Sequence, residues 1–175
     1  MRYFNGFSLK GEEEFFDDWL VKSALCVAGF SFGAQQALEY VYHTQKRVDR
    51  LILLSPAFFQ TRKSSFMRMQ LRYFEADKAA YITHFLKNTV SPSAKTDLTP
   101  FLQTGTREEL ESLLGYRWDR KKIEEIQTRG TVIEVVIGSE DKIIPAKDAY
   151  AFFGEITTCY YIKGAGHLLL ENNIQ

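Results

Sequence analysis

An excess of either charge is missing from this sequence. Its 175 residues carry 22 basic and 22 acidic side chains, for a formal net charge of zero. A dedicated nucleic-acid binder would show a basic excess, so the balance argues against that class. Cysteine is scarce. The two present, Cys26 and Cys159, both lie in apolar runs that read as strands. They are expected to be buried thiols, which fits a reducing cytosol. Long hydrophobic runs are absent: none approaches the roughly 18 residues of a membrane span. The opening Met1-Arg2-Tyr3-Phe4 has no signal-peptide hydrophobic region. The expected location is therefore cytoplasmic, with no membrane partner. Metal ligands are also short: there is no C-x-x-C, and His43, His84 and His167 are far apart without a ligand rhythm. No metal and no cofactor are expected.

What is present is ordinary globular material, 45% apolar and 25% charged. The length suits one domain. A chain of roughly this size buries about 68–70% of its unfolded surface and needs no disulfide or metal to hold a core. Arg2 to Phe4 reads as a short strand closed by the turn Asn5-Gly6. Glu12 to Val21 reads as a helix with Phe15, Phe16, Trp19 and Leu20 on one face, and with Glu12, Glu13 and Glu14 at the favourable end of its dipole. The runs 24–28 and 51–54 read as strands buried on both faces. Between them, Ala34, Ala37, Leu38 and Val41 mark a helix over Gly33 to Thr44. From Phe58 to Gln127 the pattern is helical, broken at Ser91-Pro92-Ser93 and Gly105. A strand from Val132, a helix at Ala146–Phe153 and a strand at Thr158–Ile162 follow.

Strands alternating with helices predict right-handed βαβ units and a parallel sheet. The expected fold is α/β: a minimal core of about five parallel strands over 1–57 and 129–175. A helical cap is inserted over 58–128.

Gly29-Phe30-Ser31-Phe32-Gly33 reads G-x-S-x-G between a buried strand and a helix, the context of a nucleophile elbow. The turn is so tight that side chains two residues either side of the serine would collide. A serine hydroxyl needs a base. His43 lies near the far end of the helix that Ser31 opens, about 18 Å away at 1.5 Å per residue. His84 falls in the helical middle segment, with no turn to aim it at the sheet edge. His167, in Gly164-Ala165-Gly166-His167 after the last strand, stands where parallel sheets place reactive groups. An orienting carboxylate is supplied by Asp141 in Gly138-Ser139-Glu140-Asp141, with Glu140 as the adjacent rival. The backbone N–H of Phe32 and that of Phe7, after Asn5-Gly6, are the candidate oxyanion donors.

These segments together resemble the α/β-hydrolases, whose triads run in the same chain order of Ser, Asp, His. More narrowly, they resemble the short pimeloyl-acyl carrier protein methyl ester esterases of bacterial biotin synthesis, of the Helicobacter type. The narrower resemblance rests on the short N-terminal region, Phe4-Asn5-Gly6-Phe7 and the cap segment Phe66-Met67-Arg68-Met69-Gln70-Leu71. Compared with the superfamily, a strand–helix unit before the nucleophile is missing, and Asn5 stands where His is usual.

The narrower resemblance implies a methyl ester of a seven-carbon dicarboxyl chain carried on an acyl carrier protein. Carrier proteins are acidic, and Arg62, Lys63, Arg68, Arg72 and Lys78 outnumber Glu75 and Asp77 between residues 60 and 80. Arg62, Lys63, Arg68 and Arg72 are the expected docking residues. Phe58, Phe59, Phe66 and Phe74 are candidates for an acyl channel or for plain cap core. A general carboxylesterase or thioesterase shares the triad, as would a serine peptidase or an acyltransferase. A non-catalytic binding scaffold is the alternative of another class.

Overall fold

The continuous apolar runs become parallel strands because both faces of their sheet are covered and must be dry. The structure, a computed structural model, describes residues 1–93 and 95–171. Residue 94, within the expected cap, and residues 172–175, within the expected core, lie outside the described residues. Strands β1 (Arg2–Phe4), β2 (Cys26–Phe30), β3 (Arg50–Leu54), β4 (Val132–Gly138) and β5 (Thr158–Ile162) form one sheet in that order. All four pairings are parallel, with Tyr3 in register with Ala28, Val27 with Leu51, Leu51 with Ile133, and Val135 with Cys159.

The period-two alternation of the strands divides the core. On one face Val27, Leu51, Leu53, Ile133 and Val135 pack under α1 (Phe32–His43), α5 (Arg120–Thr128) and α6 (Ala146–Gly154). On the other face Cys26, Ala28, Phe30, Ile52, Leu54 and Val136 pack on Phe16, Leu20, Leu168 and Leu169. Each fully buried Leu, Ile, Val or Phe contributes about 1.5–3 kcal/mol, so the sheet interior dominates stability.

The segment expected as a helix over Glu12 to Val21 is a 3₁₀ helix at Glu12–Phe16 followed by turns. Phe16 O closes them by accepting from Trp19 N at 2.8 Å and Leu20 N at 3.0 Å. The expected apolar face is nevertheless present, with Phe16 and Leu20 buried and Phe15 and Trp19 packed beside them. Because this connection covers the face opposite α1, α5 and α6, its crossover has the opposite hand to the other three. The expectation of uniformly right-handed units therefore does not hold at β1–β2. That connection is a loop with a single short turn, free of the helix-on-strand packing that selects the hand.

Above the sheet edge, α2 (Ser64–Ala76) packs against α3 (Lys78–Val90) and α4 (Arg107–Gly115). Asp77 caps α3 by accepting from Ala80 N at 2.9 Å, and Thr106 with Glu109 forms a capping box on α4. Packing ends this cap earlier than residue 128. Helix α5 belongs to the layer on the sheet, because Ile123 and Ile126, three residues apart, are both fully buried there and the helix packs on α1. Among the described residues, no helix is long and apolar enough to cross a membrane.

Cys26 and Cys159 sit on β2 and β5 as free thiols. Burial pushes both up, Cys159 to about 12. The thiolate is the reactive form. Both thiols are therefore expected to react with a disulfide reagent such as Ellman's far more slowly in the native protein than in urea. Stopped-flow absorbance measures it, and equal rates in the two states would contradict the shielding of these thiols.

Candidate active site

Ser31 stands between β2 and α1 with φ 54° and ψ −112°, a left-handed backbone that a side chain rarely adopts. Three bonds hold it there. Its N–H donates to Leu54 O at 2.9 Å, and its carbonyl accepts from Ala57 N at 3.1 Å and Ala34 N at 3.2 Å. The flanking glycines are required by contact. A Cβ on Gly29 would lie 2.2 Å from Gly33 O, and one on Gly33 would lie 2.0 Å from Phe4 O and 2.5 Å from Asn5 O. Strain at one serine is thus held by close backbone approach on both sides.

His167 is fully buried. It follows β5 in a loop that the glycines again allow to pack tightly. Gly138, ending β4, would meet Gly166 O at 2.2 Å if it carried a Cβ, and Gly166 would meet Ser91 O at 1.8 Å. The imidazole packs on the Phe30 ring with centroids 4.9 Å apart. Its Nε2 lies 2.9 Å from Ser31 Oγ, and its Nδ1 lies 2.6 Å from Asp141 Oδ2. The Asp141 carboxylate is itself fixed, because Oδ1 accepts from Ile143 N at 2.7 Å and Ile144 N at 3.1 Å. Glu140, the rival carboxylate, is exposed, and its N–H donates to Ala165 O at 2.9 Å. The structure therefore brings together Ser31, His167 and Asp141 from the C-terminal ends of three different strands.

The other histidines fall elsewhere. His43 ends α1 and pairs with Glu39 at 3.4 Å. His84 is exposed on α3, with Nε2 3.1 Å from Asn88 Nδ2. It does border the cavity that Ser31 opens into, which its helical setting in the sequence did not foretell.

That cavity has a volume of about 580 Å³. Its walls come mainly from the cap, including Phe59, Phe66, Tyr81, Phe85, Leu110 and Leu113. The four phenylalanines singled out in the sequence divide. Phe59 and Phe66 stack at 5.7 Å and line the cavity, whereas Phe58 packs down on Phe152 and Phe153, and Phe74 packs on Phe7 and Tyr81. Sequence reasoning did not find Lys142 and Ile143, which border the cavity beside Asp141. Their proximity to the carboxylate was the available signal.

Phe7 borders the same cavity, and Phe32 is the first residue of α1. Among the described residues neither N–H has a hydrogen-bond acceptor. Asn5, whose role the sequence left open, accepts from Gly11 N at 2.9 Å through Oδ1. Glu12, expected in a first helical turn, is fully buried, with Oε1 accepting from Gly6 N at 2.6 Å. Burial pushes its carboxyl up from the usual carboxylate value.

The basic cap residues lie on α2 and the turn before it. Arg62 is exposed over the Phe66 ring and borders the cavity, and Lys63 is the N-cap residue of α2. Arg68 and Arg72 are exposed along a groove with Met69 and Tyr73. Among the described residues, none of these four cations has a carboxylate within ion-pair distance. Glu75 is taken by Arg107, and Asp77 by the α3 cap.

A scan against protein-family models and a search of curated proteins both return no match. Solved structures do match. Est816, described as an N-acyl homoserine lactone degrading enzyme, superposes with a TM-score of 0.61 at 17% identity, over 94% of this chain and 70% of that one. MenH from S. aureus gives 0.60 at 13% identity, over 94% of this chain and 85% of that one. Carboxylesterase CesB from Bacillus subtilis gives 0.53 at 19% identity, over 93% of this chain and 62% of that one. These neighbours are α/β-hydrolase-fold enzymes, and the five parallel strands with their helices are that fold in a shortened form.

Gly33→Ala separates helix propensity from contact. Propensity alone predicts a gain of about 1 kcal/mol for replacing glycine inside a helix. The contact with Phe4 O and Asn5 O predicts a loss of about 3 kcal/mol, at the upper end of the overpacking range. Urea unfolding gives the sign directly, and a stabilised variant would contradict the close approach of α1 to β1.

Proposed function

We propose that this chain, with its α/β-hydrolase fold, is a serine hydrolase that cleaves carboxylic esters through an acyl-enzyme on Ser31. Its substrate in this reading is the methyl ester of pimeloyl-acyl carrier protein. The observation that carries the hydrolase reading is the unbroken hydrogen-bonded series from Ser31 through His167 to Asp141, opening into a largely apolar cavity.

Each step follows from an atom on that series. Ser31 Oγ attacks the ester carbonyl carbon while His167 Nε2 takes its proton. The Asp141 carboxylate holds the proton on Nδ1 and stabilises the imidazolium that forms. Negative charge develops on the carbonyl oxygen, and the unpartnered N–H groups of Phe7 and Phe32 are the donors for it. The imidazolium then protonates the leaving alkoxide, which departs as methanol. Water deprotonated by His167 releases the acid by the same path.

The carrier-protein part rests on charge. Arg62, Lys63, Arg68 and Arg72 form an exposed basic strip on α2 and the turn before it, and Arg62 reaches the cavity. An acidic carrier docked there would deliver its acyl arm past Phe59 and Phe66. A general carboxylesterase is the second reading, favoured by the apolar lining, which by itself asks only for an acyl group.

Methanol release from pimeloyl-acyl carrier protein methyl ester, run beside the free dimethyl ester, separates the two. The expected result is faster hydrolysis of the carrier-bound ester. Charge reversal at Arg68 and Arg72 should raise its KM at least tenfold and leave the free ester unaffected. Equal rates on both esters would remove the carrier protein and leave a general esterase. Ser31→Ala should abolish both activities, and Asp141→Asn should lower kcat by about 10³–10⁴. Activity surviving in Ser31→Ala would refute the hydrolase mechanism itself.

A further inference from the structure

The loop between β1 and the 3₁₀ helix is held from behind. Gly6 N–H donates to Glu12 Oε1 at 2.6 Å, and the carbonyl at the other end of the same peptide unit, that of Asn5, lies against Gly33. This peptide is therefore clamped at both ends. The next one is clamped at its carbonyl, because Gly6 O accepts from Leu9 N at 3.2 Å. A trans peptide carries its N–H opposite its carbonyl. With Gly6 O turned toward Leu9, Phe7 N–H must point the other way. It has no acceptor there among the described residues, and Phe7 borders the cavity holding Ser31.

Glu12 itself has little other reason to be buried. Its Oε1 also receives the Tyr3 hydroxyl at 3.3 Å, and among the described residues its buried Oε2 has no partner and no cation pairs with it. Burying a carboxyl with an unsatisfied oxygen is costly, and such groups persist where they do something. A glycine at position 6 has the backbone freedom to turn its N–H away if nothing accepts it. Gly6 has little alternative in sequence either, since a Cβ there would meet the Phe30 ring at 2.7 Å.

We infer that Glu12 is a positioning residue, its buried carboxyl holding Gly6 N–H so that Phe7 N–H is aimed at the oxyanion formed on Ser31. It touches no substrate and acts through two peptide planes. The inference rests on the serine-hydrolase reading above and is independent of the carrier protein.

The test uses a short p-nitrophenyl ester, three variants at Glu12 and Ser31→Ala. Glu12→Gln keeps an oxygen for Gly6 N–H, and Glu12→Ala removes it. Acylation and deacylation both pass through an oxyanion, so kcat falls whichever step limits. Removing one oxyanion donor typically costs about 10²–10³ in turnover; a misaimed donor should cost about 10- to 100-fold in Glu12→Ala. Glu12→Gln should restore activity to within about threefold of the parent, the same carboxamide oxygen standing in for the carboxylate.

An alkyl trifluoromethyl ketone supplies the readout that a merely structural role would not move. Ser31 Oγ adds to its carbonyl carbon, the π pair moves onto oxygen, and the Oγ proton passes to His167 Nε2. The adduct therefore needs the same donor. Its inhibition constant should rise in Glu12→Ala by the same factor as kcat falls, while that of the matching alcohol, which forms no oxyanion, stays within twofold. If Glu12→Ala does not fold, Glu12→Met, which fills the volume without an acceptor, is held to the same criteria. Parental kcat in the folded variant, or equal weakening of ketone and alcohol, would overturn the inference. Hydrolysis persisting in Ser31→Ala would instead overturn the serine-hydrolase reading on which it rests.

Discussion

The approach of Gly33 to the carbonyl oxygens of Phe4 and Asn5 is the contact on which the site is built. It sets the first turn of α1 directly against the end of β1. That leaves no room for a side chain at position 33 and presses Ser31 into its left-handed backbone. The same contact closes one end of the Asn5–Gly6 peptide. The nucleophile and the loop facing it are therefore positioned by one close approach and cannot drift apart independently. Leu54 and Ala57, on either side of the β3 end, fix Ser31 from the other flank.

The remaining members arrive by the same device. Gly138 ends β4 against the carbonyls of Ala165 and Gly166, which brings the Asp141 loop onto the His167 loop. Asp141 spends one oxygen on the Ile143 and Ile144 N–H groups and the other on His167. A carboxylate so held has one free direction, and the imidazole fills it. Parallel strands deliver all of these loops to the same edge of the sheet. The cap adds a roof of aromatic and aliphatic side chains over an edge that would otherwise face water.

Elements whose signal is local were legible from residues alone. The β5 strand, the helix after Ser31 and the order of Ser, Asp and His followed from apolar runs, turn glycines and the strand–turn–helix context. So did the preference for Asp141 over Glu140, since adjacent side chains point apart. The 3₁₀ helix at Glu12–Phe16 was read as longer, because spacing alone does not distinguish one closed turn from three. The α5 segment was assigned to the cap, because Ile123 and Ile126 mark an apolar face without saying which layer it meets. Phe58 and Phe74 looked equivalent to Phe59 and Phe66, and packing alone parted them.

The sequence by itself determined which groups could react and the order in which the chain presents them, because glycine spacing and strand context are properties of neighbours. The tertiary structure decided distance and environment. It placed His167 2.9 Å from Ser31 across 136 residues. It buried Glu12 behind the loop that follows β1. It also left four cap cations without carboxylate partners by engaging Glu75 and Asp77 elsewhere. Those outcomes depend on contacts between residues far apart in the chain, and short-range pattern carries no information about which of the possible long-range contacts the packed core will select.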